Sequence, residues 1–259
     1  MSDRDALDRF AVSLRFHGDL SFFLKRSEPR GHVVRTLREK TSIKDVIESC
    51  GVPHPEVDLI LCGQSACEFG FHVTGDASFD VYPVSAPVDI HPAHRLQRRQ
   101  LSRFVVDGHL GKLARDLRLH GFDAFYRSDA DDPLLVRISV ENERVLLTRD
   151  RRLLMHAVIR DGYCPRSDLV EDQIVEVIRR FDLVDATRPY TRCLRCNGAL
   201  EPVEKAAIVG ELQPLTKMYY EDFRRCAECA HVYWSGSHFA KLQARIEKIR
   251  SRVEAQPDK

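Results

Sequence analysis

Four cysteines arranged as two C-x-x-C pairs carry the clearest chemical pattern in the sequence. Cys193 and Cys196 form the first pair, and Cys226 and Cys229 form the second. Each pair presents two thiolates from one tight turn, and four thiolates complete the tetrahedral shell of a structural Zn²⁺ site. The pattern predicts a zinc ribbon, with the long spacer as its hairpin, and favours it over redox or incidental cysteines. The remaining cysteines are predicted to be small buried side chains: Cys50, Cys62, Cys67 and Cys164.

Aspartates follow three predicted strands in the middle of the chain. Asp107 ends the run FVVD, Asp150 comes shortly after RVLLT, and the segment SDADD supplies Asp129, Asp131 and Asp132. Parallel α/β sheets place their sites beyond the carboxyl ends of the strands, so these acids are expected to converge. Clustered carboxylates repel one another unless a cation neutralises them, and Mg²⁺ or Mn²⁺ prefers such oxygen ligands. The sequence therefore predicts a divalent-metal site able to activate water against a phosphodiester.

Each aspartate also has a plainer interpretation, because a carboxylate placed before a helix often caps that helix. Asp131 and Asp132 both suit the N-terminus of the helix predicted over DDPLLVRISVEN. The metal hypothesis therefore depends on the joint placement of the acids at strand ends rather than on any single residue.

Basic residues lie close to these aspartates in the sequence. Lys112 and Arg115 belong to the helix predicted after the first acid, and Arg149 and Arg151 flank the last one. Cations around an acidic metal site suit a polyanionic substrate, whose phosphates they would bind. The alternative for Arg115 and Arg118 is a solvated helix face without a ligand.

The elements expected to position the acids alternate between strand and helix from Phe104 onward. FVVD, DAFYRS, RVLLT and a short run near Tyr163 are the predicted strands. The helices between and after them are HLGKLARDLRLH, DDPLLVRISVEN, a segment from Arg151 and a segment over 168–180. This alternation predicts an α/β domain with a parallel sheet covered by helices on both faces.

The first part of the chain, residues 10–85, shows a different order. AVSLRF is a predicted strand, SFFLK its returning strand, and a helix with Ser42 as N-cap precedes the strands EVDLILCG, FHVTG and ASFDVYPV. This order predicts a small α+β domain of β-grasp type. Residues 86–103 form a predicted basic linker, either a solvated connector or an arm that follows a phosphate backbone.

Length and composition limit the number of domains and the class of protein, but they indicate no partner. The chain has 259 residues, which favours two or three domains, and a formal net charge of only +1, which does not announce nucleic-acid binding. No apolar run approaches the roughly 20 residues of a membrane span. The first residues, MSDRDALDRF, lack the apolar core of a secretory signal. A cytoplasmic protein without a membrane partner is therefore expected.

The segments FVVDGHLGKLARDLRLHGFD, SDADDPLL and RVLLTRDRRLL resemble the Mut-seven C-terminal RNase family, a branch of the PIN-like nucleases. The resemblance runs from about residue 104 to 233. It implies a PIN-like three-layer α/β/α sandwich over 104–187 that hydrolyses RNA with Mg²⁺ or Mn²⁺. PIN-like domains often pair, which leaves room for a homodimer.

The same resemblance assigns the catalytic and metal-binding acids by position. They would be Asp107, Asp131 and Asp150, with Asp129 and Asp132 as weaker candidates for the middle position. A fourth acid common in PIN domains has no clear counterpart, so the number of catalytic metals stays open.

The cysteine region, 188–240 with a charged helix to 255, resembles the C-terminal zinc ribbon of this family through CLRCNGALEPV and HVYWSGSHF. Ala230 stands where the second knuckle usually has glycine. Basic and aromatic residues flank the cysteines and suit either a single-stranded RNA contact or a wet rim: Arg192, Arg195, Arg224, Arg225, Tyr233 and Trp234.

The N-terminal segments AVSLRFHGDL, SIKDVIESCGVPHPEVDLILCGQ and GDASFDVYPV resemble a ubiquitin-like domain, similar to small sulfur-carrier proteins, that often precedes this RNase module. Those carriers act through a free C-terminal Gly-Gly, which is absent here because the chain continues through VYPVSAP. The resemblance therefore implies a docking or substrate-positioning module with a protein partner.

Two other functions compete with a metal-dependent ribonuclease. The first is a non-catalytic RNA-binding or adaptor protein that uses the zinc ribbon and the ubiquitin-like domain, and the absent fourth acid supports it. The second is a Mg²⁺-dependent phosphatase, which is disfavoured because His109 stands where a second aspartate would be expected.

Overall fold

A computed structural model describes residues 9–28, 31–86, 91–236 and 239–255. The linker predicted over 86–103 and the ribbon predicted over 188–240 therefore each contain residues that lie outside the described part. The chain divides into two compact units. The first comprises the chain up to residue 99 together with 148–166, and the second comprises 100–147 and the chain from 167 onward.

The N-terminal part of the first unit is a mixed sheet with one α-helix. Its elements are β1 (Phe10–Phe16), β2 (His32–Leu37), β3 (Thr41–Ser42), α1 (Ile43–Ser49), β4 (Val57–Cys62), β5 (Ser65–Cys67), β6 (His72–Val73) and β7 (Ala77–Pro83). The main sheet has the order β2-β1-β7-β4-β5, with β1 parallel to β7 and the other neighbours antiparallel. Ser42 caps α1 by accepting the Asp45 amide at 3.1 Å, which confirms the predicted start of this helix.

One predicted strand of this domain is wrong. SFFLK is not the strand that returns beside β1, because residues Gly18–Phe23 form a 3-10 helix and β2 is the antiparallel partner. Leu20 and Phe23 are the buried residues of this helix. Their spacing of three is that of a 3-10 turn, whereas a strand would bury alternate residues.

The basic segment before the second unit has intramolecular partners. The Arg95 guanidinium lies 3.0 Å from the Asp58 carboxylate, and Arg98 forms an ion pair with Asp161. The Gln97 side chain donates to the carbonyls of His54 and Val57. Residues 95–98 are therefore bound to their own unit, which matches neither a solvated connector nor an arm held out for phosphates.

The middle of the chain alternates strand and helix as predicted. Its elements are β8 (Arg103–Val106), α2 (Gly111–Leu119), β9 (Asp123–Tyr126), α3 (Asp132–Glu141), β10 (Val145–Leu147), α4 (Arg151–Leu154), β11 (Gly162–Tyr163) and α5 (Val170–Phe181). Within the second unit, β10, β8 and β9 are adjacent in that order and parallel. Short helix α4 and strand β11 belong to the first unit.

The two central strands of the parallel sheet, β8 and β10, are almost entirely buried. Phe104, Val105 and Val106 of β8 have no exposed surface, and all three residues of β10 are buried. Such continuous burial is typical of a parallel strand packed on both faces. Helix α2 is followed by Gly121 at φ +91, where any side chain would collide with the Arg188 carbonyl, so this turn requires glycine.

The C-terminal region is a three-stranded antiparallel sheet with helical additions. Its elements are β12 (Leu200–Val203), α6 (Lys205–Ile208), α7 (Pro214–Tyr219), β13 (Phe223–Cys226), β14 (Val232–Trp234) and α8 (Phe239–Glu254). The sheet has the order β12-β13-β14. The spacer between the cysteine pairs is therefore not a plain hairpin, because α6 and α7 connect its two paired strands. Buried Ile208, Leu212 and Phe223 give this insertion a small apolar core.

Candidate functional site

The four predicted metal ligands converge at one end of the three-stranded sheet. The Sγ atoms of Cys193, Cys196, Cys226 and Cys229 all lie within 4.8 Å of one another. Cys193 and Cys229 are 3.7 Å apart, and Cys196 and Cys226 are 3.4 Å apart. A tetrahedral Zn²⁺ with Zn–S bonds of about 2.3 Å separates its sulfurs by about 3.8 Å. The cluster can therefore hold a metal such as zinc.

Two tight turns with left-handed residues shape this cluster. Asn197 and Ala230, each directly after the second cysteine of a pair, have φ values of 75° and 58°. The Gly198 amide points at Cys196 Sγ at 3.4 Å, and the Cys229 amide points at Cys226 Sγ at 3.5 Å. Such N–H donors favour the thiolate form, which is the form that binds metal.

A tyrosine supports the first knuckle from β14. The Tyr233 hydroxyl lies 3.2 Å from Cys193 Sγ and accepts the Leu194 amide at 3.1 Å. Burial alone would raise the pKa of Cys193, but the hydrogen bonds from Tyr233 and from backbone amides outweigh it and lower the pKa to about 6. The pKa of Cys196 in the same knuckle is instead raised, by burial and by its hydrogen bonds with the other three cysteines.

The first knuckle is also tied to the parallel sheet. Arg118 on α2 is buried and donates to the carbonyls of Leu194 at 3.3 Å and Arg195 at 3.1 Å. Burial lowers the pKa of this guanidinium. The hypothesis that Arg118 decorates a solvated helix face is therefore wrong, because its charge satisfies backbone carbonyls of the knuckle.

Asp123 at the start of β9 makes a second connection to the knuckle. It accepts hydrogen bonds from Asn197 at 2.7 Å and from Arg144 at 2.6 Å. Burial raises the pKa of Asp123, but these hydrogen bonds and the charge of Arg144 lower it overall. The four-cysteine site and the parallel sheet thus share one hydrogen-bonded boundary inside the second unit.

Replacing Ala230 by glycine is expected to stabilise the knuckle by about 1 kcal/mol, because alanine at positive φ carries a steric cost that glycine lacks. Chemical denaturation of the metal-loaded protein measures this change. Ala227 in the same knuckle lacks a positive φ, so Ala227→Gly is the matched control and should be neutral or destabilising. Equal effects of both substitutions would contradict the assignment of strain to Ala230.

The three predicted catalytic acids all precede helical turns. Asp107, directly after β8, accepts the His109 amide at 3.1 Å, and Asp131 accepts the Leu134 amide at 3.0 Å. Asp150 accepts the Arg152 amide at 2.7 Å. The capping interpretation is therefore confirmed for each residue. Each of these contacts uses Oδ1, so capping fixes the orientation of the carboxylate.

The other acids of SDADD differ from Asp131. Asp129 is exposed and forms a two-point ion pair with Arg127 at 3.1 and 2.8 Å. The hydrogen bond from Arg127 lowers the pKa of Asp129. Asp132 is the first residue of α3 and is exposed. Asp131 is the residue whose side chain caps α3.

The carboxylates of the predicted catalytic acids are not grouped as tightly as the sulfur atoms of the four cysteines. Within the described residues, the cysteines form the one group of three or more potential ligands whose donor atoms all lie within 4.8 Å. A Mg²⁺ ion keeps several waters and is usually held directly by only one or two carboxylates. The donor chemistry of these aspartates therefore fits a hydrated hard cation better than an all-protein cage.

A cavity of about 670 Å³ opens beside the start of α2. Its polar lining comes from His109, Lys112, Tyr126, Asp168 and Gln173. The Tyr126 hydroxyl donates to the Gly108 carbonyl at 3.1 Å, which ties β9 to the turn after β8. Lys112 was singled out from the sequence, but Tyr126 and Asp168 were not. The only indication of these two residues in the sequence is their position, with Tyr126 at the end of a strand and Asp168 just before a helix.

The predicted phosphate-binding cations are exposed: Lys112, Arg115 and Arg149. Arg151 is engaged differently, because its guanidinium donates to the carbonyls of Phe22 and Phe23 at 3.1 and 2.7 Å. It also lies 5.1 Å from the Phe23 ring centroid. Arg151 is thus a packing residue of the first unit.

The remaining cysteines follow the prediction in part. Cys50, Cys67 and Cys164 are buried, whereas Cys62 is partly exposed. His54 is a buried histidine with both ring nitrogens partnered, Nδ1 2.7 Å from Glu48 and Nε2 2.6 Å from the Ile159 carbonyl. Across the described residues, none of the helices combines the length and apolarity that crossing a bilayer requires.

Together these features define a mixed α/β protein with an N-terminal sheet domain and a C-terminal four-cysteine ribbon. A family model described as the Mut7-C RNAse domain matches residues 102–246, more than half of the chain. A second model, described as Mut7-C ubiquitin, matches residues 10–89. The chain therefore belongs to the Mut7-C RNAse domain family, which confirms the resemblance drawn from its motifs. No curated protein and no solved structure matches it significantly.

Proposed function

We propose that the protein is a ribonuclease that hydrolyses RNA phosphodiester bonds at a carboxylate-held Mg²⁺ or Mn²⁺ site. The family match over 102–246 carries the proposal. The burial and parallel order of β10, β8 and β9 support a PIN-like three-layer sandwich in this region. Asp107 stands at the carboxyl end of the middle strand, which is where such sheets place their chemistry.

Asp107, Asp131 and Asp150 would hold the metal and form the catalytic set. Asp107 donates its amide to the Leu147 carbonyl at 3.0 Å, and Asp150 follows Leu147 by three residues in the chain. The ion would supply a water of lowered pKa and charge stabilisation for the phosphate. The protein's own task is to orient the carboxylates, and each one accepts a backbone amide of the turn that follows it.

Exposed cations that neighbour these acids in the sequence would bind the substrate. Lys112 and Arg115 follow Asp107 on α2, Arg149 directly precedes Asp150, and all three would neutralise backbone phosphates of a single RNA strand. We further propose that Zn²⁺ occupies the four-cysteine site as a structural ion. The ubiquitin-like domain would bind a protein partner. We also propose that the protein forms a homodimer and is cytoplasmic.

A non-catalytic RNA-binding or adaptor protein is the second candidate. The observation that favours it is the capping role of all three aspartates, since each carboxylate already has a structural use. In that case the ribbon and the ubiquitin-like domain would perform the function.

Incubation of the zinc-loaded, full-length protein with end-labelled single-stranded RNA separates these candidates. Cleavage is expected when Mn²⁺ or Mg²⁺ is added and not when divalent ions are omitted, because the carboxylates alone do not activate water. RNA binding without cleavage at any concentration of either ion would favour the adaptor.

A further inference from the structure

The second unit contains an aromatic cavity that the proposed catalytic site does not use. It has a volume of about 670 Å³, within the usual range of ligand sites. The residues that line it come from the ribbon, from the segment before it and from α8, and its aromatic members are Tyr190, Phe223, Tyr233, Trp234 and Phe239. We propose that this cavity, named here the aromatic cavity, binds an unstacked nucleobase of single-stranded RNA; this inference rests on the proposed function.

Exposed aromatic surface is the first observation that points to a base. Trp234 is 42% exposed although it is a large apolar side chain. Tyr190 and Phe239, which also line the cavity, lie against each other with ring centroids 4.8 Å apart and planes tilted by 33°. A planar heterocycle stacks on such faces with a gain of about 1–3 kcal/mol per base.

A buried hydroxyl without a partner is the second observation. The Tyr190 hydroxyl oxygen is buried and has no hydrogen-bond partner within the described part of the chain. Leaving such a group unsatisfied costs free energy, so a buried hydroxyl normally has a partner. Tyr190 lines the aromatic cavity, and a nucleobase edge, which offers both donors and acceptors, could pair with the hydroxyl once the atoms that cover it move aside. Tyr190 also has a φ of 61°, a conformation that non-glycine residues rarely adopt.

The charged residues of the aromatic cavity suit a nucleotide rather than an apolar ligand. Arg224 can contact phosphate, whereas Glu204 and Asp222 can accept hydrogen bonds from base amino groups. Arg192 already donates to the Asn197 carbonyl at 3.2 Å and lies 3.9 Å from the Asp123 carboxylate. Arg224 is exposed, and its neighbour Arg225 is instead paired with Glu211 at 3.2 Å.

The sole tryptophan of the chain gives a direct test, because Trp234 lines the aromatic cavity. The probe is a six-residue oligoadenylate, added to zinc-loaded, full-length Asp107→Asn protein without Mg²⁺ or Mn²⁺, so that binding is measured without turnover. Saturable quenching of the Trp234 fluorescence is expected. An abasic ribose-phosphate oligomer of equal length should quench far less, and equal quenching by both would overturn the proposal.

Variants measured with a labelled oligoadenylate locate the contact. Trp234→Ala should weaken binding by about 5- to 150-fold, while Tyr219→Ala, which removes an exposed aromatic outside the cavity, should not. Arg224→Gln should weaken binding more than Arg225→Gln. Unchanged affinity of both Trp234→Ala and Arg224→Gln would overturn the proposal and would favour a protein partner as the ligand of this surface.

Tyr190→Phe separates a ligand contact from a purely structural role. Removing the unpaired hydroxyl should raise the melting temperature of the free protein and at the same time weaken oligoadenylate binding. A variant that gains stability and binds as tightly as wild type would overturn the role of the hydroxyl. If wild-type protein cleaves RNA with Mn²⁺ but its Trp234 fluorescence is not quenched, the base-binding proposal is overturned and the ribonuclease proposal is retained. If the fluorescence is quenched but RNA is not cleaved, the ribonuclease proposal is overturned and base binding is retained.

Discussion

Asp107→Asn is expected to lower Mn²⁺-dependent RNA cleavage by about 10²- to 10⁴-fold without unfolding the protein. The amide removes the negative charge that a hard cation requires. It keeps an oxygen that can accept the His109 amide, which Asp107 accepts at 3.1 Å, and asparagine is as good a helix cap as aspartate. Cleavage rates under single-turnover conditions, together with thermal unfolding, measure both parts of this prediction.

Asp129→Asn is the matched control for this experiment. Asp129 is also an aspartate of the acidic region, but it is exposed and already paired with Arg127. Its substitution should leave the cleavage rate within about twofold, since a surface ion pair contributes little. Retained cleavage in Asp107→Asn would remove this residue from the mechanism, and equal losses in both variants would indicate a nonspecific charge effect.

Cys226→Ser is expected to remove most of the bound zinc and to destabilise the second unit by more than about 4 kcal/mol. Cys226 is buried and packs with Cys193 and Leu200 in the small core beneath the metal site. The ribbon has only a small apolar core, so a bound metal would supply much of its folding free energy. Metal analysis of the purified protein and its thermal unfolding profile provide the two readouts.

Cys62→Ser controls for the loss of a thiol as such. Cys62 is a partly exposed residue of β4 and lies outside the four-cysteine group. This variant should keep about one zinc per chain and an unchanged unfolding profile. Full zinc content and stability in Cys226→Ser would contradict a four-thiolate structural site.

The sequence predicted the parts of this fold that depend on local patterns. The apolar runs of β8 and β10, the cap at Ser42 and the paired cysteine knuckles each have a signal within a few residues. SFFLK misled the prediction because an apolar run of this length is compatible with a strand or a tight helix, and only burial at a spacing of three distinguishes them.

Long-range polar contacts were the part that the sequence could not predict. Arg118 resembles a solvated helix residue by its spacing, yet its guanidinium binds two knuckle carbonyls 76 and 77 residues away. Arg166 pairs with buried Glu56 at 2.8 Å across 110 residues. Such pairs have no periodic signature, because their partners meet only after the chain has folded.

The candidate site likewise combines features that were predictable from sequence with features that were not. The positions of Asp107 and Asp131 after strands, and their suitability as caps, were predictable from sequence, whereas the amide that each carboxylate accepts is visible only in the hydrogen-bond geometry. Tyr190 carried no motif at all, and its unpaired hydroxyl is visible only once the walls of the aromatic cavity are known.

Binding of Mn²⁺ to the zinc-loaded protein, followed by electron paramagnetic resonance, tests the central claim most directly. The wild-type chain is expected to bind Mn²⁺ at a site that Mg²⁺ competes for, and Asp107→Asn should lose that site while Asp129→Asn keeps it. Identical Mn²⁺ titrations of wild-type protein and Asp107→Asn would contradict a carboxylate-held catalytic metal.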